Sequence, residues 1–279
     1  MVEKLQELLE QKKYAEIHKM LESLNSADIP SIFDELDEEQ IVIVYRLLSK
    51  DMAADVFVEL DPDMQENLIN AFSDKELKNV LDDIFMDDTV DLVEEMPASV
   101  VKRILRAQNS EDRKMINELL RYPEDSAGSI MTTEFVDLKE NMTVEKAIEK
   151  IRKVGDDVES IYVCYVLTLT RQLIGIVSLK DLIMADKVTL VKDIMDKNFI
   201  KVSTLEEQEE VAKKFDKYDE ISLPVVDNED RLVGIVTVDD AMDVMHEEMD
   251  EDFEKMAAIT PSEDTYFKTS VFKHARNRI

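Results

Sequence analysis

Apolar residues in the first part of this 279-residue chain recur every twelve positions. One register runs Leu24, Leu36, Leu48, Leu60, Phe72, Ile84, Met96. A second runs Ile32, Val44, Val56, Leu68, Val80, Leu92, Ile104, and a third, one residue on, runs Phe33, Tyr45, Phe57, Ile69, Leu81, Val93, Leu105. Helix-starting residues follow the first register at Asn25, Asp37, Ser49, Asp61, Ser73 and Pro97, with Phe85 breaking the series. Such a period leaves room for a helix of about eight residues and a tight turn. Helices that short do not stand alone in water, so each must bury its stripe on its neighbours. The expectation is a solenoid-like, superhelical stack from about residue 25 to 108, preceded by one or two longer helices.

Near residue 123 the pattern changes. Tyr122-Pro-Glu-Asp-Ser-Ala-Gly-Ser-Ile-Met131 reads as a junction, and strand-type runs alternate with helices beyond it. Two segments there spell nearly the same phrase: Leu173-Ile-Gly-Ile-Val-Ser-Leu-Lys-Asp181 and Leu232-Val-Gly-Ile-Val-Thr-Val-Asp-Asp240. Each is an apolar strand containing a Gly, then a hydroxyl residue, then an acid three further on. The hydroxyl suits a helix N-cap and the acid suits the first turn. Capping explains each site alone; the duplication points to an internal pair stacked as one pseudo-symmetric α/β module. The first copy is expected as strand 135–138, helix 143–153, strands 161–167 and 173–177 and helix 179–185. The second is expected as strand 199–202, helix 205–217, strands 223–226 and 232–236 and helix 238–249. Ile130-Met131 recurs as Ile194-Met195, and Gly175 as Gly234, so the first copy carries about five extra residues between helix and strand.

Composition narrows the function. A formal charge of −30 argues against nucleic acid as a partner and makes stability depend on cations that neutralise it. Cys164, the single cysteine, stands in an apolar run and reads as a buried structural thiol. The acidic amphipathic start lacks the features of a signal peptide, and no stretch approaches 18 apolar residues. The last stretch, Thr265 to Ile279, has basic residues and no acid. Basic residues flank membrane spans on the cytoplasmic side, so the chain reads as cut just before a first transmembrane helix.

No catalytic arrangement is visible. His18, His246 and His274 lack metal-type spacing, and there is no Gly-rich phosphate loop. His18 is expected to be simply exposed. The sharpest feature is the acidic run from Asp239 to Glu254, interrupted by no Lys or Arg. On a helix Asp240 shares a face with Asp243, Asp243 with Glu247, and Glu248 with Glu251. Like charges so spaced repel unless cations bind. Mg²⁺ keeps most of its waters and accepts one or two carboxylates, which suits scattered acids better than a dedicated cage. Further acids stand in the helical stack, where Asp87, Asp88 and Asp91 share a short helix start and Asp55 lies repeats away. A solvated acidic face is the plainer account of all of them. Adenosine binding by the duplicated module, with Asp181 or Asp240 on the ribose, stays open beside it.

The duplicated phrase, with Leu223-Pro-Val-Val226 before its second copy, resembles the pair of cystathionine-β-synthase-type (CBS) domains. The whole order, with the Ala-Gly-Ser-Ile-Met131 junction and Thr237-Val-Asp-Asp-Ala-Met-Asp243, resembles the cytosolic region of the MgtE family of magnesium transporters. The resemblance implies an α plus α/β protein: a helical-repeat N-domain over 1–125, CBS domains over 126–190 and 191–248, and a connecting plug helix over 249–279. It implies a sensor of intracellular Mg²⁺ on the cytoplasmic face of the membrane, not an enzyme. Bound ions would draw the N-domain onto the CBS pair and close the pore of a transmembrane domain absent from this chain. The residues it assigns to Mg²⁺ are Asp55, Asp87 and Asp91 in the N-domain and Glu207, Glu209, Asp219, Asp240 and Asp243 in the CBS part. Glu248 and Glu251 would act near the plug, and Asp216 and backbone oxygens are further candidates. A homodimer through the CBS pairs is implied, and ATP is a second ligand. The competing reading is an adenine-nucleotide-sensing CBS module whose acids are merely solvated.

Overall fold

The computed structural model describes residues 1–256. Most of the expected plug helix, residues 257–279, lies outside the described residues, as do the side chains of Asp51, Asp250, Glu251, Asp252, Glu254 and Met256. The chain divides into two compact units, Met1–Arg121 and Tyr122 onward.

The first unit is helical throughout. It opens with α1 (Val2–Glu10) and α2 (Tyr14–Leu21), which pack together. At nine and eight residues they fall within the range of the helices that follow, against the expectation of longer ones. A 3-10 turn at Ser26–Asp28 leads to α3 (Pro30–Phe33). Then come α4 (Glu38–Tyr45), α5 (Lys50–Val58), α6 (Pro62–Ala71), α7 (Asp74–Leu81), α8 (Met86–Glu95), α9 (Ala98–Ala107) and α10 (Ser110–Leu119).

The twelve-residue period is the period of their N-caps. Asp37 and Ser73 form full capping boxes with Gln40 and Glu76, and Asp61 accepts from the Met64 N–H. Phe85 keeps the place without a capping side chain; the Thr89 hydroxyl bonds its carbonyl at 3.0 Å instead. Asn109 caps α10, so the stack runs one repeat beyond residue 108. The second register, from Ile32 to Ile104, is buried at every position, and Ile116 extends it. The third is buried as far as Val93, and Leu105 is half-buried. In the first, only Leu60, Phe72 and Met96 are buried. Alternate helices meet: α4 packs on α6, α5 on α7, α7 on α9 and α8 on α10. His18 is half-buried, and its Nδ1 donates to the Leu47 carbonyl at 2.7 Å, so it ties α2 to the stack rather than standing free.

The second unit is two copies of one β-α-β-β-α plan. The first holds β1 (Phe135–Lys139), α11 (Val144–Val154), β2 (Ser160–Leu167), β3 (Leu173–Ser178) and α12 (Leu179–Met184). After the short α13 (Val191–Ile194) the second holds β4 (Val202–Ser203), α14 (Gln208–Tyr218), β5 (Ser222–Val226), β6 (Leu232–Thr237) and α15 (Val238–Met256). In each copy the first strand runs parallel to the second and the third antiparallel to it. The extra residues of the first copy go into loop 155–159 and a longer β2.

The copies exchange linkers. Thr132, ahead of the first copy, pairs with Ile235 of the second through backbone bonds of 2.8 and 2.9 Å. Asp196, ahead of the second, pairs with Ile176 of the first at 2.8 and 2.9 Å. The duplicated glycines stand where the linkers pass. A Cβ on Gly234 would meet Met131 Sδ and the Thr132 carbonyl, each at 2.7 Å; one on Gly175 would meet Met195 Sδ at 2.8 Å and the Asp196 carbonyl at 2.9 Å. The recurrence of Ile-Met and of Gly is thus one packing device used twice. Between the copies lies a core of Tyr165, Leu167, Leu173, Val226, Leu232 and Ile235, and the Tyr165 and Ser222 hydroxyls bond at 2.7 Å. Cys164 is fully buried in the first copy's own core, and burial pushes its thiol up to about 12, so it stays protonated and inert.

Candidate cation-binding acids

Each duplicated phrase ends by joining its hydroxyl to its acid. The Ser178 hydroxyl donates to Asp181 at 2.6 Å and accepts from the Asp181 N–H at 3.0 Å, which caps α12. Thr237 donates to Asp240 from both its hydroxyl and its backbone N–H, the latter at 3.2 Å. The first is the N-cap that the site suggested alone; in the second the acid reaches back to the helix start. The surroundings differ. Asp181 is exposed and α12 holds no other acid. Asp240 is half-buried, with Asp239 beside it and Asp243 one turn on. Burial, reinforced by those two charges and opposed by the Thr237 bonds, raises the Asp240 carboxyl to about 6. Such a carboxylate gains from any cation that reaches it.

The remaining second-unit acids stand on two helices that pack together, α14 and α15. Glu207 caps α14, accepting from the Glu209 and Glu210 N–H groups at 3.1 Å each. Carboxylate oxygens of Glu207, Glu209 and Glu210 lie within 4.8 Å of one another. Lys213 already sits against this cluster, 2.8 Å from Glu209 and 3.0 Å from Glu210. Sequence reasoning named Glu207 and Glu209 and missed Glu210. The signal was present, since 207 and 210 share a helix face.

Asp219 stands at the opposite end of α14 in a left-handed conformation, φ 55° and ψ 37°. An eleven-residue helix puts roughly 16 Å between its ends, so Asp219 and Glu207 cannot share an ion. Asp243 is exposed and Glu248 half-buried on α15; Glu251 is on the same helix with its side chain outside the described residues.

In the first unit Asp87 is buried in the first turn of α8, and Asp91 is exposed one turn on, on the same face. Asp55 is exposed on α5. Since α5 packs on α7 and α8 packs on α10, Asp55 belongs to a different row of the stack from Asp87 and Asp91.

The donor set is oxygen throughout, as hard divalent cations require. The half-buried, acid-flanked Asp240 fits a hydrated Mg²⁺ that takes one or two carboxylates. The Glu207 cluster offers the same chemistry, with Lys213 as the cation an ion would displace.

Residues 24–125 match the model of the MgtE intracellular N domain, and residues 127–187 and 191–247 each match the CBS domain. The magnesium transporter MgtE of Bacillus subtilis is 37% identical over 193 residues, 69% of this chain and 42% of that protein. The Thermus thermophilus MgtE is 42% identical over 179 residues, 64% of this chain and 39% of that protein. The chain thus spans about two fifths of the length of these curated relatives. Among solved structures, the cytosolic domain of the Mg²⁺ channel MgtE in complex with ATP superposes with a TM-score of 0.83 at 38% identity, over 88% of this chain and all of that one. The soluble part of a magnesium transporter gives a TM-score of 0.80 at 34% identity, over 88% of this chain and 97% of that one.

Proposed function

This chain belongs to the MgtE family of magnesium transporters, and from that premise we propose that it is the Mg²⁺-sensing, pore-gating region of such a transporter. The family assigns it regulatory modules and no enzymatic activity. The observation that carries the sensing role is Asp240, half-buried between two further acids and costly to hold ionised without a counter-charge.

The physical mechanism is a population shift. Without cations, acids on the N-domain (Asp55, Asp87, Asp91) and on the CBS pair (Glu207, Glu209, Asp219, Asp240, Asp243) repel and favour an open arrangement. Hydrated Mg²⁺ favours a closed one, because it binds the closed state more tightly. Several weak sites acting together make the response steep. Glu248 and Glu251 would couple closure to the plug helix, proposed over 249–279. The working unit is a homodimer through the CBS pairs on the cytoplasmic face of the membrane. The N-domain is assigned to 1–125, with CBS domains over 126–190 and 191–248.

A second reading has its own support. The similar cytosolic domain was solved with ATP, so an adenine nucleotide is a second ligand for the CBS pair, with Asp181 or Asp240 near its ribose. Small-angle scattering at constant ionic strength separates the two. Compaction through the millimolar range of Mg²⁺, absent with KCl, supports ion-driven closure. An unchanged radius with Mg²⁺, together with saturable ATP binding, leaves the nucleotide reading alone.

A further inference from the structure

From Glu22 to Glu95 the helical unit is densely acidic, and its only basic residues there are Arg46, Lys50, Lys75 and Lys78. Helix α9 reverses this. It carries Lys102, Arg103 and Arg106 and no acid. Ser99, Lys102, Arg103 and Arg106 follow the i, i+3, i+4, i+7 spacing of one helix face. Val100 and Ile104 are the buried side of the same helix. The cationic face lines a cavity of about 480 Å³, bounded across from it by Asp74 and Leu77 of α7. That volume lies in the range of small-ligand sites.

The three cations play different parts. Arg103 is anchored, donating to the carbonyls of Ile69 and Phe72 at the end of α6. Lys102 and Arg106 are exposed and make no ion pair among the described residues, although the chain holds 64 acids against 34 bases. Asp74, with a side chain 95% exposed, nonetheless comes within 3.5 Å of Arg103. A carboxylate thus already stands at the cavity's edge, beside its fixed cation.

We propose that this cavity between α7 and α9 binds a small phosphate-bearing anion. Lys102 and Arg106 neutralise it, the Ser99 hydroxyl donates to it, and Arg103 forms a fixed positive wall. Several converging cations match a phosphate's multiple charge and oxygens better than a single carboxylate. A concave site of this size suits a compact anion better than an acidic polypeptide. The site lies wholly within the helical stack and does not rest on the Mg²⁺ reading.

The test is calorimetric titration of pyrophosphate into the full chain, in EDTA at fixed KCl, so that no divalent cation takes part. The expected result is one saturable site. Lys102→Ala and Arg106→Ala each weaken it about five- to tenfold, as loss of a charge-assisted bond does. Asp74→Asn tightens it by removing the competing carboxylate, and added KCl weakens it. Both cation variants remove exposed side chains, so unchanged melting confirms that they fold. Absence of binding, or binding of equal strength in the double variant Lys102→Ala, Arg106→Ala, would overturn the proposal.

Discussion

The two halves of the α/β unit share a backbone plan, a sheet order and a nine-residue phrase, yet they end differently. The first closes on the six-residue α12, whose one acid, Asp181, is exposed and tied to Ser178. The second closes on the nineteen-residue α15, whose first-turn Asp240 is half-buried among like charges. One copy has kept the cap as a cap. The other has placed the same hydroxyl–acid pair where an uncompensated charge costs stability. Scaffold symmetry therefore comes from packing, and functional asymmetry comes from what surrounds one carboxylate.

The scaffold half of that comparison breaks most visibly at the glycines. Gly234→Ala and Gly175→Ala each press a methyl into a linker's Met and carbonyl, and each should cost about 2 to 3 kcal/mol in urea unfolding. Similar losses at both positions confirm the exchange of linkers as a shared device; a large loss at one alone would break the symmetry.

The charge half is sharpened by Asp240→Asn against Asp181→Asn. The folded Asp240 carboxyl titrates near 6, above its unfolded value near 4. The native state thus holds more protons than the unfolded state between those values, and stability falls as pH rises from about 4 to 6. At pH 7 without Mg²⁺, Asp240→Asn should stabilise the chain by about 2 kcal/mol and remove that part of the pH dependence. Asp181→Asn, at an exposed site, should stay within about 0.5 kcal/mol. Equal effects from the two variants would dissolve the contrast.

The hydroxyls test the shared hydroxyl–acid bond. Ser178→Ala should cost about 1 kcal/mol, the usual loss for an N-cap. Thr237→Ala removes a bond that favours ionised Asp240, so it should also move that titration upward, read by NMR of the carboxyl carbon. A small effect is expected at Asp219 too, whose left-handed backbone a glycine adopts without strain. Asp219→Gly should be neutral or stabilising by up to about 1 kcal/mol in chemical denaturation, with the carboxylate gone.

Much of this architecture was legible in the sequence because it is periodic. The twelve-residue registers marked buried positions and N-caps together, and the duplicated phrase marked β3 and β6. The sequence registers end one repeat short of the stack, because the first and third pass to the polar Gln108 and Asn117 while Asn109 and Ile116 continue the pattern. The lengths of α1 and α2 are not legible, because the acidic start has no period to bound them. Candidate acids could be listed from sequence but not ranked. Asp181 and Asp240 hold the same place in the phrase; the acids beside Asp240 show in the sequence, but its burial does not. Glu207 and Asp219 fall on one helix but at opposite ends of it, and Glu210 joins Glu207 only once the cap folds.

The central claim is tested most directly by the melting temperature of the full chain against Mg²⁺ at constant ionic strength, with KCl as the control, for the natural sequence and Asp240→Asn. Binding to the folded state raises the midpoint by mass action. The account predicts a rise through the millimolar range that KCl does not reproduce and that Asp240→Asn largely loses. A midpoint indifferent to Mg²⁺, or an equal rise in the variant, would contradict it.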